Sequence, residues 1–138
     1  VVDAFSRKLD RACELGVTVA FETSLAAEPF REFLDRLGHP AGCANYDTGN
    51  SASLGYDPRD ELSAYGERVS TLHVKDRIRG GTTVPLGQGD ADLAAGFAGL
   101  RAKGFDGPII LQVAREGDEL AAARSNRAFV EALMEDWE

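Results

Sequence analysis

Cysteine and histidine are scarce in this sequence, which contains two of each among 138 residues. Cys13 and Cys43 do not form a C-x-x-C pair. A disulfide framework needs several paired cysteines, and a structural zinc site needs closely spaced cysteine and histidine ligands. The sequence therefore argues against both, and we expect the protein to reside in the reducing cytoplasm.

Positive charge and long apolar runs are also lacking. Lysine and arginine total 15 against 23 aspartates and glutamates, which gives a formal net charge of −8. A protein that binds the nucleic-acid backbone needs clustered positive charge, so we expect no nucleic-acid partner. No apolar stretch approaches the ~20 residues of a membrane-spanning helix, so we expect no membrane partner either.

Short apolar strands alternate with amphipathic helices along the chain. Apolar residues at helical spacing predict helices over 3–15, 28–37, 57–65, 92–103 and 119–134. Apolar, β-rich runs predict strands over 17–21, 43–46, 69–74 and 109–113. A Gly-Asn-Ser turn is expected after the second strand, and a glycine-rich loop over 79–90. The order is one helix followed by four βα units, which predicts an α/β fold with a parallel sheet, formed by residues 1–138 as a single structural unit.

Two architectures compete for this order of elements. A flavodoxin-like sheet suits the length, but it opens with a strand and has five, whereas this chain opens with a helix and offers four. A complete (β/α)8 barrel needs about 250 residues, so four βα units amount to half of one. We therefore predict a TIM-barrel-like half-barrel. Because a half-barrel leaves two strand edges unpaired, we expect either a homodimer or an N-terminal half-barrel as its partner.

Polar residues stand at or near the carboxyl ends of the four predicted strands. They are Glu22, Asp47, His73 and Gln112. Sites in α/β folds are built at this edge of the sheet. Two carboxylates, an imidazole and an amide oxygen are a ligand set for Mn²⁺, Mg²⁺, Co²⁺ or Zn²⁺. Spacing alone leaves two alternatives open, a shared metal site or four unrelated loop residues.

Four short motifs give the chain a resemblance to a known family. They are Phe21-Glu22-Thr23, Asp47-Thr48-Gly49, Leu72-His73-Val74-Lys75-Asp76 and Val84-Pro85-Leu86-Gly87-Gln88-Gly89. Together they resemble the xylose isomerase-like superfamily of sugar isomerases and epimerases. Its relatives include D-tagatose 3-epimerase, L-xylulose-5-phosphate 3-epimerase, hydroxypyruvate isomerase and inosose dehydratase. The resemblance covers essentially the whole chain and implies strands five to eight of the family's barrel.

The resemblance also implies a site and a chemistry. It implies one divalent metal, with ligands falling on Glu22, Asp47, His73 and Gln112. Glu22 would also be the general base that removes a carbon-bound proton beside a carbonyl, forming an enediolate. Asn50 takes the place of a substrate-contacting residue. Further candidates for binding a sugar or sugar phosphate are Lys75, Arg77 and Arg115.

Two positions depart from the family pattern. Gln112 stands where the family has a glutamate, and its amide can donate an oxygen to a metal but cannot take up a proton. Asn50 stands where a histidine is common, and it can hydrogen-bond a hydroxyl but cannot act as an acid. The leading prediction is a divalent-metal-dependent isomerase or epimerase of a sugar or sugar phosphate. The alternatives are an inosose-dehydratase-like lyase and a non-catalytic metal- or carbohydrate-binding half-barrel.

Overall fold

The computed structural model describes residues 2–114, 117–135 and 137. The helices are α1 (Val2–Glu14), α2 (Ala27–Leu37), α3 (Thr48–Leu54), α4 (Pro58–Tyr65), α5 (Leu93–Ala102) and α6 (Glu119–Leu133), with a 3₁₀ turn at Gly66–Arg68. The strands are β1 (Val19–Phe21), β2 (Gly42–Asp47), β3 (Val69–Val74), β4 (Asp76–Arg77), β5 (Thr83–Val84) and β6 (Ile109–Leu111). None of the helices in the described ranges is long and apolar enough to cross a membrane.

Four of the strands form one parallel sheet in the order β1-β2-β3-β6. Each strand follows its neighbour through a helical crossover, which is the connection that parallel strands require. In the described part of the chain, β1 and β6 each pair on one side only. The confirmed fold class is therefore a parallel β/α sheet with two open edges.

The hydrophobic core lies between one face of this sheet and the helices. Ala44, Tyr46, Leu72 and Val74 point into it from the two central strands. The helices contribute side chains that are almost fully buried, among them Leu9, Phe30, Leu34, Leu62, Phe97 and Leu100. Side chains alternate across a strand, so the residues between the core positions face the opposite side. On that side Ile110 of β6 is 42% exposed.

The structure corrects three details of the sequence interpretation. The segment after β2, expected as a turn, forms helix α3, whose first turn is capped by Asp47 accepting from the Asn50 N–H at 2.8 Å. The expected glycine-rich loop contains the short strand β5, which pairs antiparallel with β4 just before the loop. The first and last strands are shorter than expected, because β1 begins at Val19 and β6 ends at Leu111.

Candidate active site

Three of the predicted ligands come together at the carboxyl ends of neighbouring strands. Glu22 follows β1, Asp47 ends β2, and His73 lies on β3 in register with Asp47. His73 Nδ1 lies 3.3 Å from Glu22 Oε2 and 3.9 Å from Asp47 Oδ2. The three prospective ligand atoms all lie within 4.8 Å of one another. The parallel register explains this convergence, because it brings successive strand ends to the same edge of the sheet.

Asn45 connects two of these ligands, and the sequence interpretation missed it. Its Nδ2 donates to Glu22 Oε2 at 2.6 Å and lies 3.1 Å from His73 Nδ1. The Thr71 hydroxyl donates to Asn45 Oδ1 at 2.5 Å and so orients the amide. The sequence did contain a signal for Asn45. Side chains two residues apart on a strand lie on the same face, so Asn45 shares a face of β2 with Asp47.

Asp47 is paired at both of its carboxylate oxygens. Oδ1 accepts the Asn50 N–H at the start of α3, and Oδ2 lies 2.8 Å from Lys75 Nζ. The Asp47 side chain is only 1% exposed and that of Lys75 is 16% exposed. Lys75, predicted to bind substrate, therefore directs its ammonium at a candidate metal ligand.

Asn50 and Arg77 extend the site on the side of Glu22. Asn50 Nδ2 donates to Glu22 Oε1 at 2.7 Å, and Arg77 Nη1 donates to Asn50 Oδ1 at 3.0 Å. Arg77 also donates through Nη2 to the Gly81 carbonyl, at 2.6 Å. Both oxygens of the Glu22 carboxylate thus accept from asparagine amides, one from Asn45 and one from Asn50. Two of the predicted substrate-binding residues are therefore adjacent to the predicted base.

The other two predicted site residues lie toward the last strand. Gln112 follows β6, and its N–H donates to the Val74 carbonyl at 2.9 Å, which continues the pairing with β3. Ile110 is in register with His73, so alternation along the chain assigns Gln112 to the same face of the sheet as His73. Arg115 lies outside the described residues.

A buried aspartate organises the loop beside the site. Asp76, fully buried, accepts the N–H groups of Gly87 and Gly89 at 2.9 Å each and that of Ala91 at 3.1 Å. Three donors satisfy a carboxylate that burial would otherwise make costly. The His-Val-Lys-Asp run and the glycine loop therefore form one structural unit, which explains why the two motifs follow each other in the sequence.

Another carboxylate, that of Glu61, is buried beneath α3. Glu61 of α4 is 4% exposed and accepts hydrogen bonds from Ser51 Oγ and from the Tyr65 hydroxyl, the latter at 3.0 Å. Burial raises the pKa of the Glu61 carboxyl, although its hydrogen bonds lower it. Burial also raises the pKa of both Tyr46 and Tyr65, and the neighbouring Glu61 carboxylate raises it further. Through Ser51 this cluster anchors the helix whose first turn is capped by Asp47.

The donor chemistry of the cluster fits a divalent cation. Glu22 and Asp47 offer hard carboxylate oxygens and His73 offers an imidazole nitrogen, a combination suited to Mn²⁺, Co²⁺, Zn²⁺ or Mg²⁺. Gln112 could add an amide oxygen. Asn45 and Asn50 also hold the Glu22 carboxylate in place, since each donates to one of its oxygens.

Together, the fold and the site place the chain in a class of β/α-barrel proteins that have a candidate cation site at the carboxyl ends of their strands. The comparison with protein families agrees, since the profile of the xylose isomerase-like TIM barrel matches residues 1–133. The chain belongs to this family. The resemblance inferred from the sequence motifs is thereby confirmed.

Several of the proteins that this chain resembles are named as sugar epimerases. L-ribulose-5-phosphate 3-epimerase of Salmonella paratyphi C (strain RKS4594) is 29% identical over 145 residues, covering 96% of this chain and 49% of the relative. The solved L-ribulose 3-epimerase superposes with a TM-score of 0.81 at 19% identity, covering 99% of this chain and 53% of that one. The IOLI protein, solved with a zinc atom, superposes with a TM-score of 0.77 at 20% identity, covering 97% and 55%. The chain thus spans about half the length of the relatives it matches.

Proposed function

We propose that this chain carries the metal-binding half of the active site of a divalent-metal-dependent epimerase or isomerase, which acts on a sugar or sugar phosphate. The observation that supports this most is the convergence of Glu22, Asp47 and His73 at one strand edge. The names of the relatives support sugars as the substrate class. The half that completes the barrel, an N-terminal half-barrel or a second copy of the chain, is part of the proposal. The cytoplasm is the proposed location.

The proposed chemistry begins with proton removal beside a carbonyl. Glu22 takes the carbon-bound proton, and the electron pair of the broken C–H bond passes into an enediolate. Asn45 and Asn50, each donating to one Glu22 oxygen, hold the carboxylate in a single orientation. A bound divalent metal would supply electrostatic stabilisation for the negative charge on the substrate oxygens. Protonated Glu22 then returns the proton.

The position of proton return distinguishes the two reactions. Isomerisation can return the carbon-bound proton to the neighbouring carbon from the same face, while the hydroxyl proton moves from one substrate oxygen to the other. Glu22 is then the one group needed to carry the carbon-bound proton. Epimerisation needs a second proton carrier on the opposite face of the enediolate, and the Gln112 amide cannot serve. In an epimerase that group would come from elsewhere, and the completing half is the proposed source.

Asn50, Lys75, Arg77 and Arg115 are the proposed substrate-binding residues. Asn50 and Arg77 stand beside Glu22, where a hydroxyl or an anionic substrate oxygen could be bound. A guanidinium offers paired N–H donors for a phosphate group. Glu22, Asp47, His73 and Gln112 are the proposed metal ligands.

A non-catalytic binding half-barrel is the second candidate. Two observations favour it, the glutamine at the fourth ligand position and the Lys75 ammonium already paired with Asp47. Such a protein would bind metal or sugar without turnover.

Solvent-deuterium exchange tests the proposed enzyme. The chain, assembled with its completing half and Mn²⁺, is incubated in deuterated water with a panel of ketoses and ketose phosphates. We expect metal-dependent deuterium incorporation next to the carbonyl, slowed by about 10²–10⁴-fold in Glu22→Gln. Glu28→Gln, an exposed glutamate in the first turn of α2, is the matched control. A product that lacks one water molecule relative to the substrate would identify a lyase, and metal binding without exchange would identify the binding protein.

A further inference from the structure

Lys75 is held in place by all three residues of the Asp47-Thr48-Gly49 motif. Its ammonium lies 2.8 Å from Asp47 Oδ2. The Thr48 hydroxyl accepts the Lys75 N–H at 3.0 Å and donates to the Lys75 carbonyl at 2.6 Å. A Cβ built on Gly49 would come within 2.7 Å of Lys75 Cγ, so any larger residue there would collide with the lysine stem. The backbone and side chain of Lys75 are therefore fixed in position by contacts with this motif.

The oxygen that Lys75 contacts is the one that faces the other ligands. Asp47 Oδ2 is the atom 3.9 Å from His73 Nδ1, whereas Oδ1 is committed to capping α3. A cation bound by Asp47 and His73 is therefore expected to contact the same oxygen as the ammonium. The Asp47 side chain is 1% exposed, so water screens this competition only weakly.

The charges around the site favour competition between the Lys75 ammonium and a divalent cation for Asp47. Glu22 and Asp47 supply two negative charges, and Lys75 cancels one of them. The fourth position, held by neutral Gln112, does not compensate. A divalent ion entering this site would meet the repulsion of an ammonium at close range, beside a carboxylate that is only 1% exposed.

We propose that Lys75 is an internal counter-cation that competes with the divalent metal for Asp47 and so sets the metal affinity of the site. This inference rests on the metal site of the proposed function and adds its regulation. Without metal, the ammonium neutralises the buried Asp47 carboxylate and preserves the site. Metal binding displaces the ammonium from Oδ2.

The test is a calorimetric Mn²⁺ titration of four proteins: the wild type, Lys75→Met, Lys75→Gln and Lys103→Met. Each is studied as the full chain in the associated form in which it folds. Lys103 pairs with Glu67 at 3.3 Å outside the site, so its substitution removes the same charge elsewhere. We expect both Lys75 variants to bind Mn²⁺ roughly tenfold more tightly than the wild type and Lys103→Met to bind like it. Unchanged or weaker binding in both Lys75 variants would overturn the proposal.

Thermal unfolding supplies a second readout. Without metal, both Lys75 variants should unfold at lower temperature, because the buried Asp47 carboxylate has lost its partner. Saturating Mn²⁺ should raise their unfolding temperatures by more than it raises that of the wild type. An equal loss of stability with and without Mn²⁺ would mean that Lys75 only packs, and would overturn the proposal. Lys75→Gln retains a hydrogen-bond donor and serves if Lys75→Met does not fold.

The deuterium-exchange assay separates this inference from the proposed function. Tighter Mn²⁺ binding by Lys75→Met, together with no exchange in the wild type, supports the competition and overturns the enzyme. Exchange by the wild type with unchanged affinity in both Lys75 variants supports the enzyme and overturns the competition. Absence of Mn²⁺ binding in all four proteins overturns both.

Discussion

At the residue scale, the candidate site depends on a few side chains whose partners are defined by hydrogen bonds. Asn45 donates to Glu22 and faces His73, and the Thr71 hydroxyl orients its amide. The Glu22 carboxylate and the His73 imidazole are thereby held close together before any ligand binds. Preorganisation of this kind reduces the cost of binding a cation.

Substitution of His73 tests the metal site directly. His73→Ala removes a ligand that neither carboxylate can replace, so we expect Mn²⁺ binding to be largely lost. His39→Ala is the matched control, because His39 lies 3.3 Å from Asp10 at the opposite end of the strands. Calorimetric titration of both variants measures the effect. Equal Mn²⁺ affinity in His73→Ala and the wild type would mean that the three residues converge without binding metal.

Substitution of Gln112 tests the fourth ligand position. Gln112→Glu adds a negative charge on the face of the sheet that carries His73, and we expect Mn²⁺ affinity to rise by about tenfold. Gln88→Glu adds the same charge on the exposed glycine loop and should change the affinity little. If Gln112 lies too far away to be a ligand, the two variants will bind Mn²⁺ alike in the same titration.

At the element scale, helix α3 shows how a buried polar cluster stabilises a segment of weak helical propensity. Its sequence, TGNSASL, is rich in residues typical of turns. Asp47 caps its first turn, and the carboxylate of Glu61 on α4 accepts a hydrogen bond from the Ser51 hydroxyl. Tertiary partners rather than propensity therefore explain why this segment is a helix.

The pH dependence of stability tests the Glu61 cluster. Burial raises the pKa of Glu61 in the folded chain above its ordinary value. Between the two pKa values the folded chain binds more protons than the unfolded chain, so the contribution of Glu61 to the free energy of unfolding falls as pH rises. We expect Glu61→Gln to lack this decline.

The measurement is urea unfolding of wild type and Glu61→Gln across a pH series that starts below the ordinary glutamate pKa. The informative quantity is the difference in the free energy of unfolding between the two proteins at each pH. Glu28→Gln on the exposed face of α2 provides the reference for loss of a surface carboxylate. A difference that does not vary with pH would contradict the role assigned to burial.

At the scale of the whole molecule, the open sheet is the dominant feature. Helices cover one face, while the other face carries Ile110 at 42% exposure together with the candidate site. In the described residues β1 and β6 each have one unpaired edge. Exposed apolar surface and unpaired strand edges favour association.

Association in solution tests this view of the molecule. We expect the chain alone to sediment as a dimer or larger species that dissociates on dilution, and to form a stable complex with a completing half-barrel. Ile110→Lys should weaken association, because it places a charge on the uncovered face. Leu120→Lys, at a more exposed leucine on α6, should not. A well-folded monomer that is insensitive to dilution would contradict the expectation.

The sequence by itself determined the order of the main elements and the positions of three site residues. Apolar runs with Glu22, Asp47 and His73 at or near their carboxyl ends indicated parallel strands, and such strand ends meet at one edge of the sheet. Spacing alone left open whether the three residues share a site, and the family resemblance implied that they do. Only the tertiary structure decided that Asn45 joins Glu22 and His73, that Ser51 and Glu61 support α3, and that Lys75 is paired with Asp47. These contacts join residues on different elements, and they depend on side-chain direction and strand register, which composition and periodicity do not specify.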